Sequence, residues 1–471
     1  MANLIGKLNF VAKKILNNLE ITLVVLMVFF SPFIVNYNDL PKGYELPKVT
    51  FFQVFTIILL ASFLLKVIYN TAQSNIVKFD KSLIVVFTAI FLILIASIIS
   101  PFQAKLSFDS LLNEMPWIGN SFRFQGAFTH ILMVLFAYIV YKRITRKNII
   151  FIFLALFLSS FIQSLTAFGQ LSYFLKVDPT VIFEGYYING TFGQANFYSG
   201  RIMLGILSGI FLISIGSNLL HKKSIYQYLY FLFFYIFVPI ATLCLIAGLI
   251  ISFSTWGIIT SVLMVFVLIV FELSNLFRVR NSKHYFGYFM GTFLVLGSVI
   301  GGYLLFKQYA DHVENFRLNI WQKIVEVSDK FNPIHILFGN GFDTLGEVFK
   351  YFGEFKNLYV DRAHNFFLDI YTQSGIVSLI GLLGLILFAV FKFVFKNSSR
   401  TLTYLFVGLI MWLFRSFIHE SGIVNLYDFL LLLGATLGLQ KDIKFPLPSF
   451  IISNISKFNK RNTSLEVAKS V

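Results

Sequence analysis

The chain has 471 residues, of which 57% are hydrophobic and 13% charged, about half the roughly 25% charged fraction of soluble domains. One globular core cannot bury that many apolar side chains, because a folded surface has to be wetted; a soluble enzyme, a disordered chain and a disulfide scaffold are excluded, and the single cysteine, Cys244, leaves no intramolecular disulfide or cysteine metal cluster. The net charge of +16, from 38 Lys and Arg against 22 Asp and Glu, is then read as membrane topology and attraction to anionic lipid before nucleic acid.

The apolar residues come in long blocks, and a helix that crosses a bilayer needs about 20 of them. Twelve spans are predicted, over 18–36, 50–69, 82–100, 126–141, 148–171, 197–216, 228–253, 257–273, 286–306, 376–395, 401–417 and 422–438. The seventh and eighth nearly merge, and length alone demands a break near Ser254, Thr255 and Trp256. The expected fold is an all-α polytopic membrane protein. Its parts are nine transmembrane helices within 1–306, an extracytoplasmic loop subdomain over 307–375, three more helices within 376–440 and a basic tail over 441–471. The first block follows Lys7, Lys13 and Lys14 but has no small-residue cleavage site after it, so it is expected to remain as the first span.

Charge sets the orientation. Lys142, Arg143, Arg146 and Lys147 lie between the fourth and fifth spans, Lys222 and Lys223 after the sixth, and Arg278, Arg280 and Lys283 after the eighth. With these compact basic loops on the cytoplasmic side, both termini are expected to be cytoplasmic. Four stretches then face outward: 37–48, 101–125, 176–196 and 307–374. The last is too long for a plain connection. Within it Val313, Phe316, Ile320, Ile324 and Val327 form one apolar stripe at helical spacing, which predicts an amphipathic helix on the membrane or over a cavity. Thr344-Leu345-Gly346-Glu347 fits a capping box, with Gly353 as a stop.

The densest polar patch is Asp361-Arg362-Ala363-His364-Asn365, just before the tenth span. A helix starting near Ala363 would place His364, Leu368, Tyr371 and Gly375 on one face. A histidine there is suited to accept a proton in a water-poor pocket, or else merely caps the interface. Arg317 and Trp321, four apart, are either a surface cation–π pair or an arginine aimed at a phosphate. Arg201 lies one turn into the sixth span, where an arginine either snorkels outward or serves function. With Arg123 and Arg415 near outer helix ends, these arginines suggest a positive outer vestibule for an anionic lipid such as a lipid diphosphate. Gly339-Asn340-Gly341 is a simple turn or a backbone nest for an anion, and His419-Glu420 is a possible ion pair in a short loop. No P-loop, no histidine pair at metal-ligand spacing and no Asp-x-Asp motif is present, so no cofactor and no metal are expected.

The stretch from Asp361 to Gly381 resembles the signature of the O-antigen ligase and O-antigen polymerase superfamily, with His364, Asn365, Leu368 and Gly375 in the places of its histidine, asparagine, leucine and glycine. Arg317-Leu-Asn-Ile-Trp321 followed by Leu337-Phe-Gly339-Asn-Gly341 is similar to the arginine–tryptophan helix and glycine turn of the same family's outer loop. Gly190-Thr-Phe-Gly-Gln-Ala-Asn196-Phe and Gly119-Asn-Ser-Phe-Arg123-Phe-Gln-Gly126 resemble two further elements, in chain order. Gln194-Ala195-Asn196 stands where Asn-Pro-Asn is usual, and no arginine precedes the glycine–phenylalanine stretch. The resemblance implies a metal-independent membrane glycosyltransferase. It would move a glycan from a polyprenyl-diphosphate-linked donor to a hydroxyl of a glycan, lipid or protein acceptor at the extracytoplasmic face. It implies His364 as the base, Arg317, Arg201 and Arg123 as diphosphate contacts, and Asp361, Arg362, Asn365, Trp321 and Asn196 as support. Ligase and polymerase both fit. Membrane lipids are expected partners and nucleic acid is not. A flippase for a lipid-linked glycan is the alternative of another class, although its charges would be expected at mid-membrane rather than at outer helix ends.

Overall fold

The computed structural model describes residues 18–36, 42–72, 81–112, 115–120, 123–177, 188–219, 227–276, 313–355, 360–394, 399–417 and 422–440. Among the described residues the chain is helical, with no strand. Eight helices come first: α1 (Asn18–Phe33), α2 (Lys42–Ala72), α3 (Lys81–Leu112), α4 (Ala127–Arg143), α5 (Ile149–Val177), α6 (Ala195–Leu219), α7 (Tyr228–Ile251) and α8 (Thr255–Leu276). A shorter set follows, α9 (Val313–Ser328), α10 (Pro333–Phe338) and α11 (Leu345–Tyr351). Last come α12 (Phe366–Val394), α13 (Arg400–Ser416) and α14 (Ile423–Leu439).

Among the described residues seven helices, α2, α3, α5, α6, α7, α8 and α12, are long and apolar enough to cross a membrane. The expectation of twelve is not reached on that measure. The helices α4, α13 and α14 have 17 residues each, α1 is of similar length, and the ninth expected span, 286–306, lies outside the described residues, as does His419-Glu420. The break between the seventh and eighth spans is where length demanded it. There α7 ends at Ile251, Phe253 adopts a left-handed φ of 52°, and α8 begins at Thr255.

The short helices α13 and α14 are buried on nearly every face, with Arg415, Asn425 and Asp428 among their buried residues. In the pairs that position the site, α3 lies along α12 and α4 along α14. Trp412 of α13 stacks on Phe429 of α14 at 4.4 Å and meets the edge of Phe366 at 5.2 Å. These rings anchor the first residue of α12 to the bundle.

The apolar stripe of α9 makes a small core of its own. Ile320, Ile324 and Val327 are buried with Leu345, Val348, Phe349 and Ala363, so this stripe packs on the polypeptide and leaves Leu318 and Val325 exposed. The helix α11 starts and stops where expected, but its capping box does not form. Thr344 makes no side-chain cap; its hydroxyl donates back to the carbonyls of Asn340 (2.9 Å) and Gly341 (2.8 Å).

Candidate active site

His364 does not belong to the helix that follows it. That helix begins at Phe366, because Asn365 caps it: the Asn365 Oδ1 accepts from the amides of Phe367 (3.0 Å) and Leu368 (3.1 Å), and its Nδ2 donates to the Phe417 carbonyl (2.9 Å). His364 takes a left-handed backbone, φ 54°. The expected shared face of His364, Leu368, Tyr371 and Gly375 is therefore absent. Left-handed geometry costs an L-residue roughly 1–2 kcal/mol, and a strained residue persists only where its neighbours are fixed. Here they are. The Ala363 amide donates to Asp369 Oδ1 (2.8 Å), and its carbonyl accepts from the Trp321 indole (2.7 Å). Ala363 is fully buried and His364 half-buried.

The two residues before Ala363 are held by opposite charges. Arg123 Nε donates to Asp361 Oδ2 at 2.8 Å while its guanidinium lies 5.2 Å over the Phe197 ring. Arg362 pairs with Asp343 and donates to Gln125 Oε1 (3.2 Å). Asp343, itself left-handed at φ 58°, also accepts from the backbone amides of Asn120 (3.2 Å) and Gln125 (2.8 Å). Gln125 in turn donates to Glu45 at 3.4 Å, and Glu45 accepts from the first amide of α14, Ile423, at 3.0 Å. One buried network thus joins three loops and two helices at the His364 loop. The expected positive vestibule is changed accordingly, because Arg123 and Arg362 each face an aspartate.

A kink sets the depth of this arrangement. Within α12, Gly375 has φ 73°, and the helix breaks there. The freed carbonyls of Thr372 and Gln373 accept from the amides of Asn340 (2.8 Å) and Gly341 (3.2 Å), and the Ser100 hydroxyl also reaches Gln373. Those turn amides are therefore committed to α12, which corrects the anion-nest reading of Gly339–Gly341. A Cβ on Gly375 would stand 2.2 Å from the Leu337 carbonyl oxygen. Beside the kink, burial pushes the His335 imidazole below its ordinary range, against hydrogen bonds to Gly339 and Asn340 that raise it.

The remaining sequence candidates divide. Arg317 is half-buried on α9, one turn and about 6 Å of rise before Trp321; it lies on the side of α9 that holds Ala363. Asn196 accepts from Ser254 (2.8 Å) through its side chain and from Arg415 through its carbonyl, next to the Phe197 ring beneath Arg123. Arg201 is not brought to this patch. It is fully buried and pairs with Asp428 at 2.5 Å, with further bonds to Ser159 (2.6 Å) and the Val28 carbonyl. Reading the sequence missed Asp343, Gln125 and Asp369. Asp369 stood in plain view four residues after Asn365, where an acid suits a helix first turn. Asp343 carried no signal, since its partners are distant in sequence. Among the described residues no three His, Cys, Asp or Glu side chains gather as a metal site requires.

Residues 240–383 match the model of a family described as O-Antigen ligase. No curated protein matches the chain. The matched segment is just under a third of the sequence, yet it holds Arg317, Trp321, Asp343, the whole 360–365 loop and Gly375. The match and the seven long apolar helices among the described residues both suit a multi-pass membrane protein. The segment that carries His364 is thus similar to the O-antigen ligase family over residues 240–383.

Proposed function

We propose that the protein transfers a glycan from a polyprenyl-diphosphate carrier to an acceptor hydroxyl at the extracytoplasmic face of the cytoplasmic membrane, with His364 as general base. The observation that carries this reading is the posture of His364. It stands left-handed between a doubly pinned Ala363 and a capping Asn365, at the mouth of the helix bundle. Strain held this firmly points to a function for the residue.

In the proposed step the acceptor oxygen forms a bond to the anomeric carbon while its proton passes to the imidazole. The bond from that carbon to the diphosphate oxygen breaks, and its electron pair leaves with the phosphate. A positioned base contributes roughly 10²–10⁴-fold to such a step. Fixed positive charge is needed where the leaving group becomes negative. Arg317 is the proposed grip, because a planar fork matches phosphate oxygens, and Arg123 is the proposed second contact, oriented by Asp361. Arg362, Asn365, Trp321 and Asn196 support the loop. Arg201 is reassigned to holding the bundle together. Ligation to a terminal acceptor and polymerisation of the glycan share this chemistry. Charge compensation comes from arginine, so transfer is expected to persist in chelator.

Transfer from purified lipid-linked donor tests the reading. Arg317→Lys keeps the charge and loses the fork, so most of the turnover is expected to disappear. A lysine variant with near-native turnover would remove Arg317 from the site.

A further inference from the structure

A second cluster of charge lies at the far end of α4 from the network that holds the His364 loop. The helix α4 runs from Ala127, two residues after Gln125, to Arg143, and its residue steps rise about 24 Å over that span. There it meets α1 and α2 around Glu20. The Glu20 carboxylate is fully buried, with its Oε2 at 2.6 Å from Arg143 Nε and 3.4 Å from Lys66 Nζ. A buried acid needs such partners, and here one acid holds two cations from two helices.

The cations around this acid are fixed in place. The Arg143 guanidinium lies 4.8 Å over the Phe63 ring, its side chain is 21% exposed, and among the described residues nothing bonds its two Nη groups. Beside it the Lys142 Nζ stands over the rings of Tyr138 (5.7 Å) and Tyr141 (5.5 Å). The turn between α4 and α5 then presents Arg146 and Lys147, both exposed. Asn148 sets the shape of that turn: its Oδ1 accepts from the Thr145 amide (2.7 Å) and its Nδ2 donates to the Arg143 carbonyl (3.1 Å). On α2, next to Lys66, the apolar residues Leu64, Leu65 and Ile68 are exposed. Scattered surface lysines are enough to orient a chain in a membrane; a buried acid and three rings that hold cations at fixed places are more than orientation needs.

We infer that this end of the bundle binds the headgroup of an anionic phospholipid, with its phosphate on the Arg143 fork and its acyl chains along the exposed face of α2. The planar fork matches phosphate oxygens, and basic pockets between transmembrane helices are places where anionic headgroups settle. Lys142, Arg146 and Lys147 add to the positive field, while the one acid at the centre is already spent on Lys66 and Arg143. A zwitterionic headgroup would bring its own ammonium into that field, so the charge favours a lipid of net negative charge. The proposed transfer reaction makes no use of these residues, and the lipid site does not depend on it.

Photocrosslinking tests this with the full-length protein in phosphatidylcholine nanodiscs that carry either a photoreactive phosphatidylglycerol or, at the same dose, a photoreactive phosphatidylcholine. The phosphatidylglycerol probe is expected to label peptides at the ends of α2 and α4 and in the α4–α5 turn about tenfold more than the other probe, and high salt should reduce that excess. Two variants locate the site. Arg146→Gln with Lys147→Gln removes two exposed charges, and Arg143→Lys keeps the charge beside Glu20 but loses the fork. Each is expected to cut the excess several-fold with the melting temperature near wild type. Equal labelling of the wild-type protein by the two probes would mean that these cations only orient the chain, and would overturn the inference. An excess that survives both variants, or that maps to other helices, would overturn it as well.

Discussion

At His364 the chain leaves helical geometry one residue before Asn365 starts the next helix, and this placement depends on bonds made by other residues. Trp321 is the most testable of them, because its indole donates to the carbonyl of Ala363 at 2.7 Å. Trp321→Phe keeps the ring and removes that donor. The expected result is a fall of about tenfold in kcat, about 1.4 kcal/mol of transition-state stabilisation, with KM and melting temperature near wild type. A matching loss of thermal stability would make Trp321 a packing residue only. His364 and Asn365 were legible in the sequence, because a polar pair at the head of an apolar span is conspicuous. Asp343 was not, since its bond to Arg362 crosses 19 residues of chain and its amide partners Asn120 and Gln125 lie in another loop. Arg201 was misread for a physical reason. Depth in a span shows that an arginine is unusual, but its partner Asp428 stands 227 residues away on α14.

Among the elements, the broken helix α12 governs how the outer helices meet the bundle. Gly375→Ala forces a Cβ against the Leu337 carbonyl at a φ of 73°, so a loss of about 1–3 kcal/mol is expected. It should be seen as a lower melting temperature and as faster hydrogen exchange at the Asn340 and Gly341 amides. Unchanged exchange there would mean that the turn is not held by α12. The sequence showed the apolar stripe of α9 and the bounds of α11 clearly, since both follow from helical spacing and a glycine stop. It did not show the kink. An apolar helix that continues on both sides of a glycine looks the same whether the glycine bends it or not. The expected capping box failed because a second acceptor competed: Thr344 turned to the carbonyls of the preceding turn.

Across the whole molecule, the bundle is locked by a buried ion pair. Arg201 of α6 and Asp428 of α14 are 0% and 1% exposed in their side chains, and Arg201 also reaches α1 and α5. Asp428→Leu leaves a buried cation without its counter-charge, which is expected to cost about 3–5 kcal/mol. The double variant Arg201→Met with Asp428→Leu removes both charges and should recover most of that loss. Thermal unfolding in detergent reads both, and a double variant as unstable as the single one would contradict a role based on charge pairing. The helical class was legible from the long apolar blocks, because a helix satisfies its backbone groups within one such segment. Which helices are buried in the middle was not, since α13 and α14 look like ordinary spans in sequence and differ only in having neighbours on every side.

The central claim is that His364 takes the acceptor proton, and the most direct measurement is glycan transfer by His364→Gln at saturating substrate, with donor binding measured separately. Glutamine keeps hydrogen bonding and cannot take up the proton. The account predicts donor binding close to wild type and transfer reduced by roughly 10²–10⁴-fold; substantial transfer by this variant would contradict it.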